Sequence, residues 1–409
     1  MNHSLQNPLK TYLQKRAVIK PLSGRFDRIR RYRRAVVIPA LAEAQSLPAT
    51  LQSLEASTPA GILDDTLIVI VVNNRTPESC LPGSESHSRL MADIDNNTRT
   101  LRWLEKQEGA ISPHLAWIDA ASPGLEMPPR GGVGLARKIG CDSVLAWLMD
   151  SKNKTPLQEF IFFSLDADTL VSPDYLDVSA GELITSEKSG GVIAFKHQRA
   201  DSPEGQSAID GYEAFLHDYV QGLRRAGSPY AFQTIGSCIC FTAIGYIRAG
   251  GFQARLQAGE DFYLCVELIK TGGLWEINNT RVFPSARISW RVPFGTGRHM
   301  VETLVEGKNK PLLYDPRVYI ALQKLLSAVS SNLDKETEYI YTCIDHSLTK
   351  DFLEERHFSQ VWPRFQKQYR EKEALLSAFH RWFDGFVTLK YIHRLTEQAW
   401  PRQPFVKTR

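Results

Sequence analysis

No run in this 409-residue chain approaches the roughly 18 consecutive apolar residues that a helical membrane span requires. Its first residues, MNHSLQNPLKTYLQKR, lack the apolar core of a secretory signal, so a cytoplasmic location is expected. Cysteine is sparse: six residues, Cys80, Cys141, Cys238, Cys240, Cys265 and Cys343, mostly in apolar surroundings. Alternation puts Cys238 and Cys240 on one strand face, but no second Cys/His pair stands at zinc-ligand spacing. Reduced, buried thiols are therefore expected rather than a zinc site or disulfides. Internal repeats and low-complexity segments are missing, and no basic-aromatic interleaving marks a nucleic-acid surface. What remains is ordinary for a globular protein, 43% apolar and 23% charged, with length for two or three domains.

The charge is unevenly spread. Residues 1–34 hold ten Lys/Arg against the single acid Asp27, so that segment carries +9, and the remainder carries −5 of the overall +4. A basic arm on an acidic body fits peripheral contact with an anionic membrane, at its inner face, or with an acidic partner; a solvated tail is the other reading.

Past the arm, strand and helix patterns alternate. AVVIPA (35–40), TLIVIVVNN (66–74), FIFFSL (160–165) and GGVIAFK (190–196) read as strands, apolar throughout as when both sheet faces are covered. LAEAQSLPATLQSLEAS (41–57) and GGVGLARKIGCDSVLAWLMD (131–150) read as helices, and residues 235–252 as strand, short helix and glycine turn. GEDFYLCVELIKTGG begins at two acids and continues as a helix ended by Gly272 and Gly273. This alternation predicts an α/β fold with a mostly parallel sheet and helices on both faces. Residues 75–130 include a polar, Pro- and Ser-rich portion expected to be a loop. From about 316 the texture is helical, with Val318, Leu322, Leu325 and Val329 on one face and Leu375, Phe379, Trp382, Phe386 and Leu389 on another. Three regions are expected: a basic arm (1–33), an α/β domain (34–304) and a helical region (305–409).

The strand at 160–165 runs into Asp166-Ala167-Asp168. Two carboxylates that close repel, and burial strips their hydration, so a compensating partner is needed. Alternation points both the same way at the carboxyl end of a strand, where open sheets place ligands. Their hard oxygens suit Mg²⁺ or Mn²⁺, which also favour phosphate.

Five segments, VVIPALAEAQSLPATLQSL, LIVIVVNNRTP, GGVGLARKIG, FFSLDADTLVSPDYL and GGF followed by GEDFYLCVEL, appear in one order. In that order they resemble the family 2 glycosyltransferases of the GT-A fold, over roughly residues 34–300. The resemblance implies a metal-dependent inverting enzyme that moves one sugar from a nucleotide-diphosphate donor to a hydroxyl acceptor, whether glycan, lipid-linked or small molecule. It implies that Asp166 and Asp168 hold the divalent cation, with Asp166 also meeting the ribose. Asp261 would be the base that takes the acceptor proton, with Glu260 holding the acceptor or orienting the loop. Pro39 and Ala40 would present backbone to the nucleobase, and Glu43 matches the acid that follows in the family. Two positions depart from the pattern: Ala42 stands where Asn is usual, and Asn73 where an Asp typically reads uracil. Asn73 keeps a donor and an acceptor, so base recognition remains open while UDP preference is not implied. Arg137 fits a diphosphate contact beside the helix amides. Arg130, Arg291 and Arg298 are further candidates for the diphosphate, and His299 for completing the metal shell. The processive-synthase signature QxxRW is absent, since Trp290-Arg291 reverses its last pair, so polymerisation is not expected.

Two other readings stand beside this one. A nucleotidyltransferase-like enzyme would need a basic glycine-rich turn after the first strand, where PALAEAQSLP offers none. A non-catalytic relative acting as a binding module would have no need of Asp166, Asp168 and Asp261 together.

Overall fold

The computed structural model describes residues 3–107, 111–151, 153, 155–254, 259–291, 295–307 and 312–404. In chain order the elements are α1 (His3–Lys15), β1 (Arg34–Ala40), α2 (Leu47–Glu55), β2 (Thr66–Asn73), α3 (Glu85–Glu105), β3 (Leu115–Ala120), α4 (Val133–Asp150) and β4 (Ile161–Ser164). Then follow β5 (Leu170–Val171), α5 (Tyr175–Ser186), β6 (Gly190–Phe195), α6 (Pro203–Arg225), β7 (Ile239–Thr242), α7 (Ala243–Ala249), α8 (Glu260–Thr271), β8 (Leu274–Phe283) and α9 (Thr296–Leu304). The last are β9 (Leu312–Leu313), α10 (Pro316–Ser330), α11 (Thr337–Thr342), α12 (Ser347–Glu354), α13 (Phe358–Gln368), α14 (Lys372–Trp382), α15 (Gly385–Gln398) and β10 (Gln403–Pro404).

Two compact units result: residues 1–201 with 234–298, and residues 202–233 with 299–409. They do not follow the boundaries 1–33, 34–304 and 305–409, because α6 groups with the helical unit and the arm groups with the sheet.

The first unit is α/β. Its eight strands run in the order β3-β2-β1-β4-β7-β6-β8-β5. β3, β2, β1 and β4 are mutually parallel, β7 is antiparallel to both its neighbours, and β8 is parallel to β6. Helices cover both faces. Val36, Ile38 and Ala40 of β1 form one core with Leu47, Leu51 and Leu54 of α2. On the other face α4 lies against Val37 and Val71, where a Cβ on Gly140 would collide with Val37; only glycine permits that approach. Pairing of β1 with β4 ends at Val37–Ser164 while pairing with β2 continues to Ala40. The crevice past that point, between strands reached by connections in opposite directions, is where such sheets hold ligands.

Residues 75–130 differ from expectation. They contain the 21-residue helix α3 and the parallel strand β3. α3 is polar because much of it faces solvent; even its inward face is partly Asn96, Asn97 and Thr100, buried beside Leu90 and Leu104. The solvated-tail reading of the arm also fails. Leu9, Tyr12, Phe26 and Tyr32 are buried, and the Asp142 carboxylate on α4 binds the Tyr12 hydroxyl at 2.8 Å and the Val18 amide at 2.7 Å. Arg25, Arg28, Arg31 and Arg33 are nevertheless exposed, as is Ile29 between them in sequence, at 77%.

The second unit is helical. Val318, Leu322, Leu325 and Val329 share its core with Leu223 of α6 and with Leu375 and Phe379 of α14. The face drawn from Leu375 to Leu389 does not run through one helix. Asp384 breaks it by capping α15, accepting from the Phe386 and Val387 amides at 3.0 Å each, and α15 instead buries Tyr391, Ile392 and Leu395. All six cysteines are free thiols, and burial pushes those of Cys141, Cys238, Cys240 and Cys265 up, keeping them protonated.

Candidate functional site

Arg137, in the first turns of α4, gathers the site. Its guanidinium contacts Asp166, just past β4, through Nη2 and Glu260, at the start of α8, through Nη1. Nε donates to Ser164 Oγ at 2.9 Å, and that hydroxyl donates to the Gly236 carbonyl at 2.7 Å. The side chain is 3% exposed, and a Cβ on Gly236 would strike the guanidinium. All three guanidinium nitrogens of Arg137, the residue expected to contact a diphosphate, are engaged by protein in this structure, and the residue joins the two acid pairs. Asp261, next to Glu260, accepts the Phe262 amide at 2.8 Å. Burial pushes its carboxyl up, against the pull of Arg137, and Asp166 adds to the rise. Glu260 is pushed up to about 7, by burial first and by Asp261 and Asp166 further, with Arg137 opposing.

A second cluster surrounds Asp168. Arg287, on an irregular segment after β8, binds Asp168 Oδ2 at 2.8 Å and also Oε1 of the buried Glu43. Arg291 reaches the same Glu43 oxygen and donates to the Ala42 carbonyl at 3.2 Å. Glu43 Oε2 is buried without a hydrogen-bond partner. Burial pushes Asp168 up to about 6, helped by Glu43 and Asp166 and opposed by Arg287. The turn that carries both acids is pinned from outside: Thr50 Oγ1 donates to the Ala167 carbonyl at 2.9 Å, and Gln198 Nε2 to the Asp168 carbonyl at 2.8 Å.

Past the ends of β1 and β2, two asparagines from α3 set the ledge. Asn97 accepts the Ala42 amide at 2.8 Å and donates to the Asn73 carbonyl at 3.0 Å, and Asn96 accepts the Ala44 amide at 2.9 Å. Ala42 takes a left-handed φ of 55°, a conformation that Asn adopts more readily than Ala. Asn73 is 3% exposed and its Oδ1 has no hydrogen-bond partner, the kind of buried polar atom a ligand would satisfy. Pro39 and Ala40 are buried in β1, opposite Val71 and Val72.

The donor chemistry fits a hard divalent cation. Asp166 and Asp168 supply carboxylate oxygens, and Mg²⁺ characteristically takes one or two carboxylates and completes its shell with water and substrate phosphate. Among the described residues no three His, Cys, Asp or Glu side chains are grouped to enclose an ion on their own. His299 lies on α9 in the second unit. It stacks on Tyr212 at 4.8 Å, and its Nε2 faces the Ala208 carbonyl at 3.3 Å; burial lowers its pKa, keeping the ring neutral. Arg298 lies near the exposed Trp290 ring, at 5.9 Å.

Sequence reasoning named both acid pairs, Glu43 and Asn73. It missed Arg287, the Asn96–Asn97 pair and Gly236, none of which carries a local motif. Arg287 and Arg291, four apart in SARISWR, were the one available signal.

No protein-family model matches the chain, and no curated protein matches it. Among solved structures it is similar to S. aureus TarS 1–349 in complex with UDP-GlcNAc, with TM-score 0.39 and 14% identity, covering 90% of this chain and 90% of that one. It is also similar to the mannosyltransferase PcManGT from Pyrobaculum calidifontis in complex with GDP-Man and Mn²⁺, with TM-score 0.37 and 14% identity, covering 93% of this chain and 96% of that one. Likenesses this distant carry no functional argument, and function has to be reasoned from the chain's own residues. Among the described residues no helix is long and apolar enough to cross a membrane.

Proposed function

We propose that the chain is a metal-assisted, inverting glycosyltransferase that moves one sugar from a nucleoside-diphosphate donor to a hydroxyl acceptor. One observation carries the reading: the Arg137 guanidinium contacts both Asp166 and Glu260, so acids nearly a hundred residues apart share one site. Asp166 and Asp168 would hold Mg²⁺ or Mn²⁺, which supplies the charge that stabilises a departing nucleoside diphosphate. The reading does not depend on His299.

Asp261 is the base. Its raised pKa brings it nearer neutrality, where a general base works best, and it takes the acceptor proton as that oxygen attacks the anomeric carbon opposite the leaving group. One base suffices for a single displacement with inversion, so Glu260 is left to Arg137 as the partner that orients the start of α8. Asn73 would read the nucleobase through its unpaired Oδ1, and Glu43 would accept from the ribose through its unpaired Oε2. The exposed arginines of the arm are read as a contact for an anionic membrane surface.

The test is release of nucleoside diphosphate from a panel of UDP-, GDP-, CDP- and dTDP-sugars with Mn²⁺. Asp261→Asn should lower turnover by about 10²–10⁴-fold while donor binding persists. Turnover equal to wild type would remove Asp261 from the chemistry, and donor binding without turnover in the wild type would favour a binding module.

A further inference from the structure

The arginines of the site are held in two different ways. Arg137 is locked, with a partner on each nitrogen and Gly236 pressed against it. Arg287 is not. Its side chain is 36% exposed, and it stands on residues 284–290, which belong to no helix or strand. Among the described residues it is the one cation paired with Asp168. Its departure would not strand Glu43, because Arg291 holds the same oxygen. It would strand Asp168, a carboxylate only 21% exposed, unless another cation took its place.

Resting on the function proposed above, we propose that Arg287 is a resident counter-cation, holding Asp168 and Glu43 until a divalent cation arrives with a nucleoside diphosphate whose phosphate oxygens take over the guanidinium. The physical reason is pairing. A charge parted from its partner in a half-buried site is costly, so a cation arriving alone must leave the Arg287 guanidinium sharing the single Glu43 charge with Arg291. A diphosphate supplies another anion, in the planar fork geometry a guanidinium prefers. Cation and diphosphate therefore bind cooperatively, and this one side chain adds to the coupling that the cation's own contact with phosphate supplies.

The experiment is titration of Mn²⁺, followed by electron paramagnetic resonance, alone and with UDP or GDP. It is run on wild type, Arg287→Gln and Asp168→Ala, with folding checked by circular dichroism. Wild type should bind Mn²⁺ alone about tenfold or more weakly than in the presence of the nucleoside diphosphate. Arg287→Gln should bind Mn²⁺ alone about tenfold more tightly than wild type and gain correspondingly less when the nucleoside diphosphate is added. If Arg287→Gln fails to fold, Arg287→Met carries the test: it keeps an unbranched apolar stem and removes the cation, so Mn²⁺ alone must again bind more tightly. Mn²⁺ binding that is lost in Asp168→Ala but indifferent to Arg287 overturns this inference and leaves the metal site standing. No Mn²⁺ binding under any condition overturns both.

Discussion

At the scale of single residues, the site is a problem of like charges solved by guanidinium groups. Asp166, Asp168, Glu43, Glu260 and Asp261 would repel one another if left unpaired, and Arg137, Arg287 and Arg291 divide them. Burial first, and then the like charges of Asp261 and Asp166 that Arg137 does not fully offset, raise Glu260 from an ordinary 4.5 to about 7. Between those values the folded protein keeps a proton that the unfolded chain has released, so this group's stabilisation is present at low pH and is lost as pH rises through the window. The thermal midpoint of wild type should therefore drop more, relative to Glu260→Gln, between about pH 5 and about pH 7.5. Parallel pH profiles for the two proteins would show that Glu260 is ionised throughout.

At the scale of elements, α4 links the arm to the chemistry. Arg137 faces the acids, while Lys138 and Asp142 face the arm. Asp142 is 0% exposed and takes hydroxyls from Tyr12 at 2.8 Å and Tyr246 at 3.2 Å, with Lys138 at 2.9 Å. Tyr12→Phe leaves that buried carboxylate one donor short and should cost about 1–3 kcal/mol in a denaturant titration. An unchanged midpoint would mean the arm is dispensable. How much of this was legible follows from pattern length. β1, β2 and β4 could be read because they are apolar on both faces, and the acid pairs because each follows a strand or opens a helix. α3 could not be, since its inward face spends Asn96, Asn97 and Thr100 on hydrogen bonding rather than on an apolar stripe. Arg287 was equally hidden: its partners Glu43 and Asp168 lie more than a hundred residues away, and long-range pairing leaves no local period.

At the scale of the whole molecule, charge and core are arranged separately. Leu9, Tyr12, Phe26 and Tyr32 of the arm are buried while Arg25, Arg28, Arg31 and Arg33 remain exposed. Replacing those four arginines with glutamine should abolish cosedimentation with vesicles rich in anionic phospholipid and leave donor turnover intact. Equal cosedimentation by both proteins would assign the arm a purely structural task. The central claim, that the acids beyond β4 exist to grip a cation and through it a diphosphate, is tested most directly by calorimetric titration of nucleoside diphosphates with and without Mn²⁺ into wild type and Asp168→Ala. Wild type should bind at least one of them only when Mn²⁺ is present, and Asp168→Ala should bind none. Equal affinity in the two proteins, or binding indifferent to Mn²⁺, would contradict the claim.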